Sequence, residues 1–202
     1  MIAIIDYGMG NIHSVQKAVE SMGERVIVTN DPGQVSSSDK AILPGVGAFD
    51  DAMEELKKRG LAEELAGYVK KGKLLLGICL GMQLLLESSE EAKRSGGLGF
   101  LKGEVKKFDA KSGLKVPHMG WNQLKINNPT CPLLKGVDEG SYVYFCHSYY
   151  PNPQDKEVAA TTTGYGIDFT SIFWKDNIYG TQFHPEKSQE AGLKILKNFV
   201  DI

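Results

Sequence analysis

Residues 73–78 read Lys73-Leu74-Leu75-Leu76-Gly77-Ile78, an almost unbroken apolar run that ends on Cys79. A strand this apolar has no polar face to give to water, so it must be buried on both sides. That requirement points to the interior of a parallel sheet covered by helices. The preceding segments agree. Residues 2–6 read as a first buried strand. Ile12, Val15, Val19 and Met22 recur at helical spacing, with Gly23 placed to end that helix. Residues 25–29 and 40–43 read as the second and third strands, and about 50–58 and 61–71 as two short helices. Another helix is expected from Cys79 to about residue 87. This alternation predicts an α/β fold with a mostly parallel sheet and helices on both faces.

The second half has a different texture. Segments near residues 103–108, 121–126, 142–146, 158–163, 170–175 and 178–183 are short and rich in β-formers. Turn residues such as Asn127-Asn128-Pro129, Gly164, Gly166 and Asp176-Asn177 separate them. They read as antiparallel additions to the sheet, closed by a final helix near 188–200. Residues 36–38 and 88–97 read as surface loops. With 202 residues and no repeat or low-complexity linker, the expectation is one domain over 1–202.

Charge and cysteines narrow the function classes. A net charge of −2 gives no electrostatic footprint for nucleic acid or anionic lipid. No apolar run approaches the ~20 residues of a membrane span. The opening Met1-Ile2-Ala3-Ile4-Ile5-Asp6 reads as a strand rather than a signal peptide. The three cysteines, Cys79, Cys131 and Cys146, are odd in number and contain no Cys-x-x-Cys pair. That argues against a disulfide framework or zinc ribbon and for a reducing, cytoplasmic setting, with no metal or cofactor expected.

One cysteine has the setting of a nucleophile. Gly77-Ile78-Cys79-Leu80-Gly81 lies between a buried strand and a helix, the nucleophile-elbow pattern with cysteine in place of serine. The tight turn needs small residues two positions before and after the nucleophile, and the helix start favours a thiolate. The bland alternative, a buried small hydrophobe, does not explain the paired glycines. Cys146 precedes His147, but neighbours in a strand face opposite sides, so Cys146 reads as core. Cys131 has no catalytic context.

Phe183-His184-Pro185-Glu186 supplies a base and its orienter. A cysteine nucleophile needs an imidazole to take its proton, and the imidazole needs a carboxylate to fix its tautomer. Proline pushes His184 into extended geometry, where residues two apart share a side. His184 and Glu186 can therefore meet. Attack on an amide also needs N–H donors for the oxyanion. Leu80 offers one, and Pro44-Gly45-Val46-Gly47 suits the second, through Val46 or Gly47. The glycines flanking Val46 make its peptides easy to rotate. Gln83 falls on the helical face of Cys79, as a substrate ligand or a solvated residue. His147, Ser148 and Tyr149 end a strand with polar groups that either hold a substrate or serve the framework. Trp121 reads equally as a core residue and as an interface anchor, and Lys187 as a contact or a solvated lysine.

Together these segments resemble the class I (triad-type) glutamine amidotransferases over the whole chain. Asp6-Tyr7-Gly8-Met9-Gly10-Asn11, Pro117-His118-Met119-Gly120-Trp121-Asn122 and His147-Ser148-Tyr149 are similar to the glutaminase subunits of imidazole glycerol phosphate synthases. The resemblance implies a flavodoxin-like fold, L-glutamine as substrate and the triad Cys79, His184 and Glu186. It also implies a heterodimer with a (β/α)8-barrel cyclase in histidine biosynthesis; Asn11, Trp121 and Lys187 are the residues expected at its interface. Rival readings are a sister glutaminase, such as one serving pyridoxal phosphate synthase, a self-contained cysteine hydrolase, and a flavodoxin-like binding module without chemistry.

Overall fold

The computed structural model describes residues 1–109 and 113–202. Strand β1 (Ile2–Ile5), helix α1 (Ile12–Glu20), β2 (Val26–Thr29), α2 (Pro32–Ser37), β3 (Lys40–Gly45), α3 (Phe49–Lys58), α4 (Leu61–Lys70), β4 (Leu74–Cys79) and α5 (Leu80–Leu84) form the alternating half. There follow β5 (Leu86–Ser89), β6 (Leu101–Lys107), β7 (His118–Gln123), β8 (Lys125–Ile126), β9 (Tyr142–His147), β10 (Tyr149–Pro153), β11 (Ala159–Gly164), β12 (Asp168–Lys175), β13 (Ile178–Thr181) and α6 (Gln189–Asp201).

The main sheet has eight strands in the order β2-β1-β3-β4-β13-β12-β11-β8. The pairs from β2 to β13 are parallel; those from β13 to β8 are antiparallel. The expected α/β architecture is therefore present, with the antiparallel strands at one side. β10, β6 and β5 make a separate small sheet, and β7 pairs with β9 alone.

The apolar run of β4 is buried on both faces because alternate side chains enter two cores. Leu76 and Ile78 join Ile4, Ile42, Val15 and Phe199 on the side of α1 and α6. Leu75 joins Leu43, Met53, Leu56 and Leu65 on the side of α3 and α4.

Local expectations fail where one side chain or one turn decides. The helix after Cys79 ends at Leu84, and Leu86–Ser89 turns into a strand beside β6. The periodicity of Leu80–Leu86 does not separate a helix from a short buried strand. Residues 36–38 are no open loop: Ser36 and Ser37 close α2, and Ser38 is fully buried, its hydroxyl bonded to Val35 O. Residues 90–97 are fastened rather than loose, since Asp50 accepts the backbone N–H groups of Lys93, Arg94 and Ser95. β10 has prolines at both Pro151 and Pro153 and carries no strand signal; it is a strand through its pairing with β6.

The elbow glycines are required by close approach. A Cβ on Gly77 would lie 2.7 Å from both Gly81 O and Met82 N. Gly77→Ala should therefore cost about 1–3 kcal/mol by overpacking. Gly67→Ala, in the middle of α4 with open space around it, should add about 0.5–1 kcal/mol. Denaturant titration of both variants checks this contrast.

Candidate active site

Three neighbouring strands deliver the site to one edge of the sheet. In the β3–β4 register Gly45 lies opposite Cys79, and in the β13–β4 register Thr181 lies opposite Ile78. The chain leaving β3 (Val46, Gly47) and the chain leaving β13 (Gln182 to Glu186) therefore both pass Cys79. This is the carboxyl end of the parallel strands, where open α/β sheets place their sites. Cys79 has φ 55 and ψ −111, a positive φ on a residue with a side chain. The elbow holds that strain because β4 fixes one side and α5 the other. Leu80 starts α5, so its N–H is among the unpaired donors of a helix start.

His184 and Glu186 meet as the sequence predicts but by a different route. His184 Nδ1 lies 2.9 Å from Glu186 Oε1. His184 is extended (φ −94, ψ 98), yet Pro185–Lys187 coil into a 3-10 turn, so the contact is made across a turn, not along a strand. Ser188 fastens that turn: its hydroxyl donates to His184 O at 2.7 Å and accepts from Tyr144 N at 2.9 Å. With Nδ1 on the carboxylate, the other ring nitrogen is the one left for Cys79, which lines the same cavity. Burial works against the charged imidazole. The hydrogen bonds and negative charges of Cys79 and Glu186 outweigh it and raise His184 from 6.5 to about 10. The Cys131 thiol, by contrast, is buried and pushed up to about 11 by desolvation, the state of an inert core cysteine.

Cys79, Leu80, Val46 and Gly47 line a cavity of about 400 Å³ with Gln83, His147, Ser148 and Tyr149. Gly47 has φ +99, and Val46 is 42% exposed. Gln83 is buried, not solvated. Its Nε2 donates to Tyr149 O and Gln182 Oε1, both at 2.9 Å, leaving Oε1 as the acceptor it offers. Glu91 also lines the cavity; its Oε2 accepts from Phe49 N at 3.2 Å, and burial raises its carboxyl. Nothing in the acidic stretch 87–91 distinguishes Glu91 as a sequence. The fastening of residues 90–97 to Asp50 brings it here. Gln182 is the second residue missed. It stands just before Phe183-His184, fully buried, with Nε2 3.8 Å from Cys79 Sγ.

The β7–β9 hairpin divides residues between two faces. Cys146 and His147 do point to opposite sides, but His147 is the one in the core. Cys146 is half-buried and lines the cavity. His147 Nδ1 donates to Tyr149 O at 2.7 Å, so its Nε2 accepts from His118 Nδ1 at 3.0 Å. His118 Nε2 then accepts from Asn122 Nδ2 at 3.2 Å. His147 thus has both ring nitrogens occupied within the framework, and Ser148 and Tyr149 continue the cavity wall. On the outer face, Met119, Trp121 and Tyr142 are exposed, which removes the core reading of Trp121. Asn11 is half-buried in a crevice shared with Val46, His184 and Glu186, and Lys187 is exposed at the cavity rim. Among the described residues, no group of three or more His, Cys, Asp or Glu side chains is placed to hold a metal ion.

Residues 3–202 match the family Glutamine amidotransferase class-I. The chain shares its fold, though only 19% of its sequence, with PurLQS from Thermotoga maritima (TM-score 0.76, covering 99% of this chain and 97% of that one). It also shares it with the glutaminase domain of Trypanosoma brucei CTPS, at 14% identity and TM-score 0.70, over 99% and 93% of the two chains. The chain belongs to the class I glutamine amidotransferases. The imidazole glycerol phosphate synthase subunit HisH of Syntrophotalea carbinolica is 51% identical over the full length of both chains. That of Moorella thermoacetica is 50% identical, covering all of this chain and 94% of its own. Within the class, the chain falls in this HisH family of synthase subunits.

The buried histidine pair makes the fold acid-sensitive. Burial lowers His118 from 6.5 to about 4 and His147 to about 3. Between pH 6.5 and 4 the unfolded chain therefore binds more protons than the folded one, and stability falls as pH falls. The melting temperature of the isolated chain should drop steadily from pH 7 to pH 4.5. In His147→Gln, which is less stable at neutral pH, that slope should be shallower.

Proposed function

We propose that the chain, one amidotransferase domain over residues 1–202, hydrolyses L-glutamine through a Cys79–His184–Glu186 triad and hands the ammonia to a (β/α)8-barrel cyclase in histidine biosynthesis. The carrying observation is the 2.9 Å His184–Glu186 contact beside Cys79, with Cys79 and His184 lining one cavity. His184 has taken and holds the thiol proton, so Cys79 Sγ attacks the side-chain amide of glutamine as the thiolate. The developing oxyanion is met by the N–H of Leu80 and by one from Val46 or Gly47 once that peptide faces the site. Collapse of the tetrahedral adduct breaks the C–N bond, and His184 returns the proton to the leaving ammonia. The resulting thioester is cleaved by water, with His184 again as base, releasing glutamate. Glu186 keeps the imidazole oriented and stabilises its charged form.

The cavity suits an α-amino acid. Glu91 supplies a carboxylate for the ammonium group, the backbone at Ser148 and Tyr149 supplies polar groups for the carboxylate, and Gln83 Oε1 supplies an acceptor. Free ammonia in neutral water is protonated and loses its nucleophilicity, so the acceptor must dock close by. The names of the relatives, all subunits of a synthase, support a partner. The exposed Met119, Trp121 and Tyr142 on the outer face of the hairpin, with Asn11 and Lys187 near the triad, mark the face we assign to it. A cytoplasmic location is in keeping with this role. No helix among the described residues is long and apolar enough to cross a membrane.

The triad assignment makes a graded set of predictions. Cys79→Ala in the synthase complex should lose glutamine-dependent synthesis by on the order of 10⁶ while synthesis from ammonium salts persists. His184→Ala should lose more than Glu186→Gln, which keeps the shape and one acceptor. Residual glutamine use by Cys79→Ala above a tenth of normal would assign the nucleophile elsewhere. Separately, Glu91→Gln should raise KM for glutamine about tenfold or more with kcat little changed, as expected for a lost ion pair to the bound substrate.

A further inference from the structure

The orientation of the Gln182 amide is determined by a chain of bonds that begins at a carbonyl. Tyr149 O can only accept, so the Gln83 atom 2.9 Å from it is the NH2 group. The second hydrogen of that NH2 points to Gln182 at 2.9 Å, so the Gln182 atom there is its oxygen. The remaining end of the Gln182 amide is then its NH2, and it lies 3.8 Å from Cys79 Sγ. Reversing Gln182 would set NH2 against NH2 and oxygen against sulfur. Tyr149 O is itself fixed, since it also accepts from His147 Nδ1 at 2.7 Å. Gln182 is fully buried at the end of β13, its backbone N–H held by Ser171 O at 2.9 Å. A buried amide is retained only where both ends are satisfied, and here one end is satisfied by the nucleophile.

We propose that Gln182 is a second hydrogen-bond donor to Cys79, bracketing the sulfur with His184 and holding it as an oriented anion. The proposal deepens the glutaminase reading and rests on it. Donors bind an anionic sulfur more strongly than a thiol or a thioester. Gln182 therefore favours the attacking state over the states before and after it. It makes no claim on the substrate, so its loss falls on the chemical step and not on glutamine binding.

Two variants separate this role from a structural one. Gln182→Met removes both ends of the amide at similar volume. Gln182→Glu, assayed at about pH 8.5, keeps an acceptor for Gln83 and withholds the donor. In the synthase complex with its acceptor nucleotide, both should lower kcat for glutamine about 10- to 100-fold, the range for a charge-assisted hydrogen bond, with KM within about threefold. Both should also slow the alkylation of Cys79 by iodoacetamide, followed by mass spectrometry on the isolated chain. That second readout needs no glutamine, so it stands even where the glutaminase reading fails. If Gln182→Glu kept wild-type kcat and alkylation rate, or if either folded variant raised KM alone, the donor role would be wrong and Gln182 would only anchor Gln83. Should Gln182→Met fail to fold, Gln182→Glu carries the test alone.

Discussion

Strand β4 is paired on one side by β3 and on the other by β13, both parallel to it, and this three-strand register governs everything at the active edge. A parallel pair sends its two following loops to the same end of the sheet. Three adjacent parallel strands therefore bring the Val46 loop, the Cys79 elbow and the Gln182–Glu186 segment together, although more than a hundred residues separate the first from the last. Slip either pairing by one residue and the side chains at that edge change faces. The apolar load on both faces of β4 opposes such a slip, because Leu75 and Leu76 belong to different cores.

The chemistry uses what this packing leaves available. Cys79 is held at a positive φ between strand and helix, which aims its sulfur at the cavity. His184 is kept charged by two negative partners against the cost of burial. The neighbouring histidines meet the opposite fate. Among the described residues, the partners of His118 and His147 are each other, Asn122 and Tyr149 O rather than a carboxylate, so desolvation dominates and both stay neutral, joined nose to tail from Asn122 to Tyr149 O. The same residue type is thus the proposed proton carrier in one place and framework in another. The difference is the carboxylate that the Pro185 turn brings to His184.

That framework reaches Cys79. Tyr149 O collects hydrogen bonds from His147 and Gln83, Gln83 passes to Gln182, and Gln182 ends on Cys79. The Asn122 end of the chain is on the hairpin whose outer face carries Trp121 and Tyr142. A single hydrogen-bonded path therefore runs from the wall behind the assigned partner face to the sulfur, through the buried side chains of His118, His147, Gln83 and Gln182.

By itself the sequence determined the α/β architecture, the elbow turn and the meeting of His184 with Glu186, and it suggested the proposed triad and oxyanion loop, because each depends on local patterns. A run of apolar residues must be buried, paired glycines permit a tight turn, and a proline after His184 restricts its backbone. Tertiary structure alone decided the rest. Glu91 enters the cavity only because Asp50 fastens its loop, and Gln182 faces Cys79 only because β13 ends beside β4. His147 turns inward and Cys146 outward because β7 and β9 pair in one register. β10 is a strand only through β6. The histidine-to-glutamate contact was legible, but its geometry came from a 3-10 turn that alternation along a strand does not describe. Each of these depends on partners distant in the chain. Local spacing carries the period of an element; it does not carry the identity of the group that packs against it.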